Sequence, residues 1–348
     1  MTQVAPLVET CRRCGTQLAP EMLACPVCGS LVHAEYLASL AAAAKEATER
    51  GDLPTVLASW REALPYLPRG SKQYQIIAEK ITDLGNRVPA GTVPASRVKT
   101  SPQSTAGKAA TGLGAIGLML WKFKVLLLGL GKASTLLSML LSLGVYWTIF
   151  GWKFALGLVL AIYVHEMGHV IALRRLGFKA SAPMFIPGLG AVIRLKQQVV
   201  NPREDAEIGL AGPIYGLGAA VVVLAAWALL KFQFHHELPI LAAIAGVGAW
   251  INLFNLFPIW TLDGGRGFHA MSQLQKFLAA ATVAGAWFCT GNSIDTRDGM
   301  LALIALVCFG RAIGDKSDKT RNWKAAITYI ILVIALTAVS MVRPPHGI

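Results

Sequence analysis

The sequence predicts an all-α polytopic membrane protein, with six to seven transmembrane helices behind a soluble N-terminal extension. Two observations carry that prediction. Hydrophobic residues make up 54% of the 348 and charged residues only 15%, against about a quarter charged in ordinary soluble domains. The deficit is confined to the chain after residue 112, where long apolar runs alternate with short polar clusters. Several of these runs approach the ~20 residues needed to cross a ~30 Å hydrocarbon core. The first thirty residues are polar and cysteine-rich, so no cleavable signal peptide is expected there.

Residues 1–32 contain Cys11-Arg12-Arg13-Cys14-Gly15 and Cys25-Pro26-Val27-Cys28-Gly29. Two C-x-x-C pairs supply four thiolates, the donor set of a tetrahedral structural zinc site. The glycine after each second cysteine permits the positive φ of a tight turn around a metal. Two disulfides or a redox pair use the same residues, but so short a stretch has no core of its own, which favours Zn2+. It resembles a zinc ribbon, and four closed ligands make that zinc structural.

Residues 34–85 read as helical. An alanine-rich helix over 34–50 ends at Gly51-Asp52. A second helix over 54–67 points Trp60, Ala63 and Leu64 inward, Pro68 stops it, and 71–84 forms a third. The order resembles one tetratricopeptide-like helical hairpin with a closing helix. A protein partner at residues 34–85 and a generic hairpin are equally compatible with it. Residues 86–112 are rich in Pro, Gly, Ser, Thr and Ala, and carry Arg87, Arg97, Lys99 and Lys108 without an acid. That is a flexible basic linker suited to an anionic membrane surface.

The membrane region, 113–348, opens with an interfacial stretch at 118–132. Spans follow at 133–150, 154–173, 206–230, 238–258, 276–290, 300–313 and 323–341. Placing the N-terminus in the cytoplasm puts Arg174, Arg175, Lys179, Arg194, Lys196, Arg203, Arg266, Lys316, Lys319 and Arg321 in inside loops. The positive-inside rule selects that orientation in a cell (inner) membrane. The net charge of +13 is thus directed at the lipid bilayer, and no nucleic acid is expected as a partner. The same orientation keeps the N-terminal cysteines in a reducing compartment.

Within 154–173 the only ionisable side chains besides the Tyr163 phenol are His165, Glu166 and His169. Ionisable groups at membrane depth are costly and mark function. H-E-x-x-H on a helix puts both imidazoles on one face, able to bind one metal ion, with Glu166 in reach of a metal-bound water as general base. A catalytic zinc needs a third protein ligand. Ala172 and Arg175 exclude the metzincin pattern, and Glu204 and Glu207 fall where a loop enters the next span. Asp263 follows the fourth span after a proline break at Pro258, and the predicted topology brings it to the same side as His165 and His169.

His165–His169 together with Asn255-x-x-Pro258-x-x-x-Leu262-Asp263-Gly264 resembles the site-2 protease family of intramembrane zinc metalloproteases, over about residues 120–310. The resemblance implies a catalytic zinc held by His165, His169 and Asp263, Glu166 as base, and a membrane-spanning or membrane-adjacent protein substrate. It places Asn255 close to the active site, to position substrate or polarise its carbonyl; a helix-ending role is equally open. Residues 181–200 resemble the family's membrane-dipping β-hairpin, whose edge can take an unwound substrate by strand addition; a plain cytosolic loop is equally open. One departure is visible. The family often carries G-P-x-x-N, and here Gly212-Pro213-Ile214-Tyr215-Gly216 ends in glycine. The expected cofactors are two Zn2+ ions, one catalytic and one structural. The alternative function is a non-proteolytic zinc-containing membrane scaffold recruiting partners through its N-terminal modules; Glu166, which zinc binding alone does not require, argues against it.

Overall fold

The computed structural model describes residues 10–19, 21–93, 135–188, 190–192, 195, 197–235, 238–259, 262–291, 296–314 and 321–342. The linker beyond Val93 and the interfacial stretch 118–132 lie outside them. The chain divides into two compact units: one comprises 1–138 with 175–184 and 195–198, the other the remainder.

In the first unit, α1 (Ala34–Glu49), α2 (Leu53–Ala63) and α3 (Lys72–Arg87) close on Ala44, Ala47, Val56, Leu57, Leu64, Ile81 and Leu84. Asp52 caps α2 by accepting from the Thr55 amide at 3.2 Å, with Pro54 in the first turn. Ser71 caps α3 through the Tyr74 amide in the same way. α2 is shorter than the 54–67 expected. Pro65 cannot donate a helical hydrogen bond, so the chain tightens at once into a 3-10 turn, Leu64–Tyr66. Ala63 and Leu64 are buried as expected, whereas Trp60 is half-buried beneath the Lys80 ammonium, 5.2 Å from its ring.

These helices also bind the chain that follows the H-E-x-x-H helix, which the sequence did not reveal. Arg61 is only 1% exposed. Its Nη1 donates to the Leu176 carbonyl at 2.6 Å, across 115 residues of sequence, and its guanidinium lies 4.1 Å from the Phe178 ring centre. Glu62 pairs with Lys179 at 3.7 Å, and Tyr74 donates to Gln198 at 2.6 Å. The N-terminal extension therefore has a core of its own and is also packed against 175–184.

In the second unit, helices occupy all seven places expected of spans: α4 (Thr135–Phe150), α5 (Trp152–Arg175), α6 (Pro202–Gln233), α7 (Pro239–Asn255), α9 (Gln273–Cys289), α10 (Thr296–Gly314) and α11 (Trp323–Ser340). Three of them, α5, α6 and α11, are long and apolar enough to cross a membrane. α7 stops at 17 residues, about 26 Å at 1.5 Å per residue, because Pro258 lacks the amide a further turn would need. The short α8 (Asp263–His269) follows. A Cβ on Gly264 would lie 2.0 Å from the Leu256 carbonyl oxygen, so only glycine lets α8 fold back on the end of α7.

The helices are apolar inside and out. Leu253, Phe268, Met271, Val283, Leu301 and Leu332 fill the interior, while Leu160, Val222, Leu306 and Ile331 face outward, the pattern of helices surrounded by apolar material. Buried Tyr329 donates to the Leu256 carbonyl at 2.6 Å, securing the turn after α7. The hairpin expected in 181–200 is present in small form: β1 (Met184–Ile186) pairs with β2 (Gly190–Val192), and the Gly188 amide donates to the Tyr146 hydroxyl at 2.9 Å.

Arg61→Ala should free the 175–184 segment. A lost cation–aromatic contact and a charge-assisted hydrogen bond together cost about 2–4 kcal/mol. Amide exchange in 175–184 should accelerate at least about tenfold at 1.4 kcal/mol per decade, with new tryptic cleavage at Lys179. Unchanged protection would show that Arg61 does not hold this segment.

Candidate active site

α5 presents His165 and His169 one turn apart, and α8 begins at Asp263. Asp263 Oδ2 lies 3.1 Å from His165 Nε2 and 3.2 Å from His169 Nε2, and the two Nε2 atoms are 3.2 Å apart. Three ligand atoms at the corners of one small triangle fit a tetrahedral zinc. With metal–ligand bonds of about 2.0–2.1 Å, such corners lie about 3.3 Å apart. Three protein donors are the set of a catalytic zinc site, which keeps a fourth position for water or substrate, rather than of a closed structural one. Gly212 supports the fit: a Cβ there would stand 2.3 Å from His169 Nε2 and 2.7 Å from His165 Nε2. Any side chain at 212 would crowd the ligand atoms themselves.

The far ring nitrogens are occupied. His169 Nδ1 donates to the Ile208 carbonyl at 2.8 Å, and His165 Nδ1 is 2.7 Å from Asn252 Oδ1. Both bonds leave Nε2 as the metal-facing nitrogen. Glu166, beside His165 on the same helix, is 9% exposed and so largely shielded from solvent. Arg266 Nε and Nη2 each lie 2.7 Å from Asp205 Oδ1, fastening α8 to the first turn of α6.

Among the described residues, the metal-capable group containing His165 and His169 is completed by Asp263. Glu204 is buried in the first turn of α6, and Glu207 pairs with Lys324 at 3.1 Å; neither belongs to that group. Asn255 ends α7, half-buried, and no hydrogen bond of its side chain occurs among the described residues. Asn252 is the residue that sequence reasoning passed over. Its signal was a second amide in an apolar helix, three positions before the asparagine of the motif.

The N-terminal cysteines form the second metal-capable group. All four are free thiols, with Cys11 and Cys28 sulfurs 3.6 Å apart and Cys14 and Cys25 sulfurs 3.5 Å apart. Zinc–sulfur bonds of about 2.3 Å separate tetrahedral corners by about 3.8 Å, so the set fits. Gly15 and Gly29, at φ +74° and +69°, donate back to the Cys11 and Cys25 carbonyls and close the two knuckles. Ser30 lies 3.3 Å from the Cys11 sulfur and 3.1 Å from that of Cys28. Its hydrogen bonding lowers the Cys11 thiol to about 6 and draws Cys28 the same way, favouring the thiolates a metal needs.

Residues 153–239 match the model of Peptidase family M50. The probable zinc metalloprotease EGY2, chloroplastic, of Arabidopsis thaliana is 31% identical over 74 residues, covering 20% of this chain and 13% of that protein. The zinc metalloprotease MJ0392 of Methanocaldococcus jannaschii is 26% identical over 129 residues, 36% of this chain and 37% of its own. The EGY2 protein of Oryza sativa subsp. indica is 27% identical over 148 residues, 32% of this chain and 27% of its own. The chain thus spans only 13% to 37% of the length of these relatives. No solved structure matches it. The family resemblance read from the motifs is borne out. The M50 match ends at 239, before Asp263, whose place in the cluster is a matter of geometry.

Zinc counting tests both groups. The full chain should hold about two equivalents, one per donor set. Asp263→Ala and Cys25→Ser should each hold about one, and the double variant about none. Glu204→Ala and Glu207→Ala should keep both. Full occupancy in Asp263→Ala with loss in a Glu variant would mean that a different carboxylate completes the site.

Proposed function

We propose that this chain is an intramembrane zinc metalloprotease, hydrolysing peptide bonds of membrane-spanning or membrane-adjacent proteins. The observation that carries the reading is the convergence of His165, His169 and Asp263 within 3.2 Å of one another, with Glu166 adjoining on the same helix.

When bound there, Zn2+ supplies a Lewis acid that polarises the attacking water and the scissile carbonyl. His165 and His169 bind through Nε2, and Asp263 adds the negative charge that makes a cation tolerable in an apolar bundle. Glu166 takes a proton from the attacking water and delivers it to the leaving nitrogen. The apolar helices keep bulk water and lipid from the reacting groups. Asn255, at the end of α7, is a candidate to orient the substrate. An edge of the two-stranded β1–β2 hairpin is a candidate docking strand for an unwound segment.

The protein then sits as a multi-pass protein in the cell (inner) membrane with a cytoplasmic N-terminus, as its loop charges favour. The cysteine group holds a structural zinc, and residues 34–85 receive a protein partner.

Glu166→Gln should abolish cleavage, by about 10²–10⁴-fold for loss of general base catalysis, while zinc content stays at the wild-type level. Membrane proteomics of cells carrying each form should show full-length membrane proteins accumulating only with the variant. A purified substrate cut equally well by Glu166→Gln would remove the mechanism.

A further inference from the structure

The two histidines are oriented by partners of different kinds. His169 Nδ1 meets a backbone carbonyl, that of Ile208, which can only accept. Its proton is therefore fixed on Nδ1 by the main chain. His165 Nδ1 meets a side-chain amide, which could present either end. Here the other end decides. Asn252 Nδ2 lies 2.7 Å from the Gly248 carbonyl oxygen, also acceptor-only, so nitrogen must face Gly248 and oxygen must face His165. With Oδ1 at 2.7 Å, His165 carries its proton on Nδ1 and keeps the Nε2 lone pair for the metal.

Asn252 is 3% exposed, and an amide at that depth is costly unless both ends are bonded. A leucine would fill the volume without that cost, so packing does not explain the residue. The room for it comes from a third helix. A Cβ on Gly216 of α6 would fall 2.0 Å from Asn252 Oδ1, 2.4 Å from its Cγ and 2.4 Å from its Nδ2. No side chain at 216 can coexist with the amide as it stands.

We propose that Asn252 is the positioning residue that fixes the tautomer and ring angle of His165, and that Gly216 supplies the hole in which its amide sits. Position 216, where polarity is missing from the G-P-x-x-N pattern, thus yields its space to polarity arriving from α7. The inference rests on the zinc-site reading above.

The test is zinc retention by the full-length, detergent-solubilised protein against graded chelator, with the cysteine-bound zinc as internal reference. Asn252→Leu should release the His165-site zinc at about ten- to a hundredfold lower chelator, the usual effect of losing a ligand's orienting partner. The reference zinc should not move. Asn252→Asp, which keeps an acceptor toward Nδ1 although its second oxygen then faces the acceptor-only Gly248 carbonyl, should hold zinc at least about threefold more tightly than Asn252→Leu. Gly216→Ala should reproduce the Asn252→Leu loss, and Gly216→Ala/Asn252→Leu should be no weaker than either alone, because both act on one bond. Where Asn252→Leu does not fold, Gly216→Ala against Asn252→Asp carries the same comparison. Wild-type affinity in Asn252→Leu, or equal loss in Asn252→Asp and Asn252→Leu, overturns this inference and leaves the zinc site standing. Wild-type protein that holds zinc only on its cysteines overturns the zinc-site reading and this inference together.

Discussion

Two imidazoles and two carboxylates are gathered, largely buried, among helices with apolar outer faces, where little solvent is at hand to satisfy a stray proton or charge. Each polar atom must find its partner within the protein or hold a metal. That constraint orders the surrounding structure. It explains why both Nδ1 atoms are bonded, why the acceptors come from α6 and α7 rather than from α5 itself, and why Asp263 arrives on a separate short helix. A single helix can offer two nitrogens on one face, but closing a triangle of 3.1 to 3.2 Å sides takes a third ligand from elsewhere.

Close approach of backbones is the second requirement, and it follows from the first. Ligand atoms this near one another leave no room for side chains between α5, α6 and α7. Gly212 faces the two Nε2 atoms, Gly216 faces the Asn252 amide, and Gly264 abuts the Leu256 carbonyl. Each removes a Cβ that would occupy space already taken. The stability lost by placing glycine in a helix, about 1 kcal/mol per residue, is offset by interactions that no larger residue would allow.

The parts of this architecture legible in the sequence were those with a local spacing. His165 and His169 announce themselves because i and i+4 share a helical face, and the cysteine knuckles because four thiols recur in paired turns. Apolar runs located seven helices, yet run length exceeded the helix actually formed at α7, and helical spacing with Pro68 as the stop misjudged the end of α2, where Pro65 intervenes. Asp263 needed a topological guess and a motif. Asn252 was illegible because its meaning lies in what faces it. An amide in an apolar run reads as a packing residue until Gly216 and His165 are seen on either side. Arg61 was hidden for the same reason: its partner carbonyl is 115 residues away.

The contrast between the two histidines bears on how such a site can vary. An orienting carbonyl from the main chain of α6 cannot be lost by substitution, so His169 keeps its tautomer whatever residue stands at 208. His165 depends on a side chain, and the glycine opposite means that the amide could be supplied from only one helix at a time. Asparagine at 252 therefore requires glycine at 216, and a side chain at 216 requires a small residue at 252. The glycine that seemed to weaken the motif faces a polar group carried by the neighbouring helix. A departure from a sequence pattern inside a packed core is best judged by asking what now fills the vacated space.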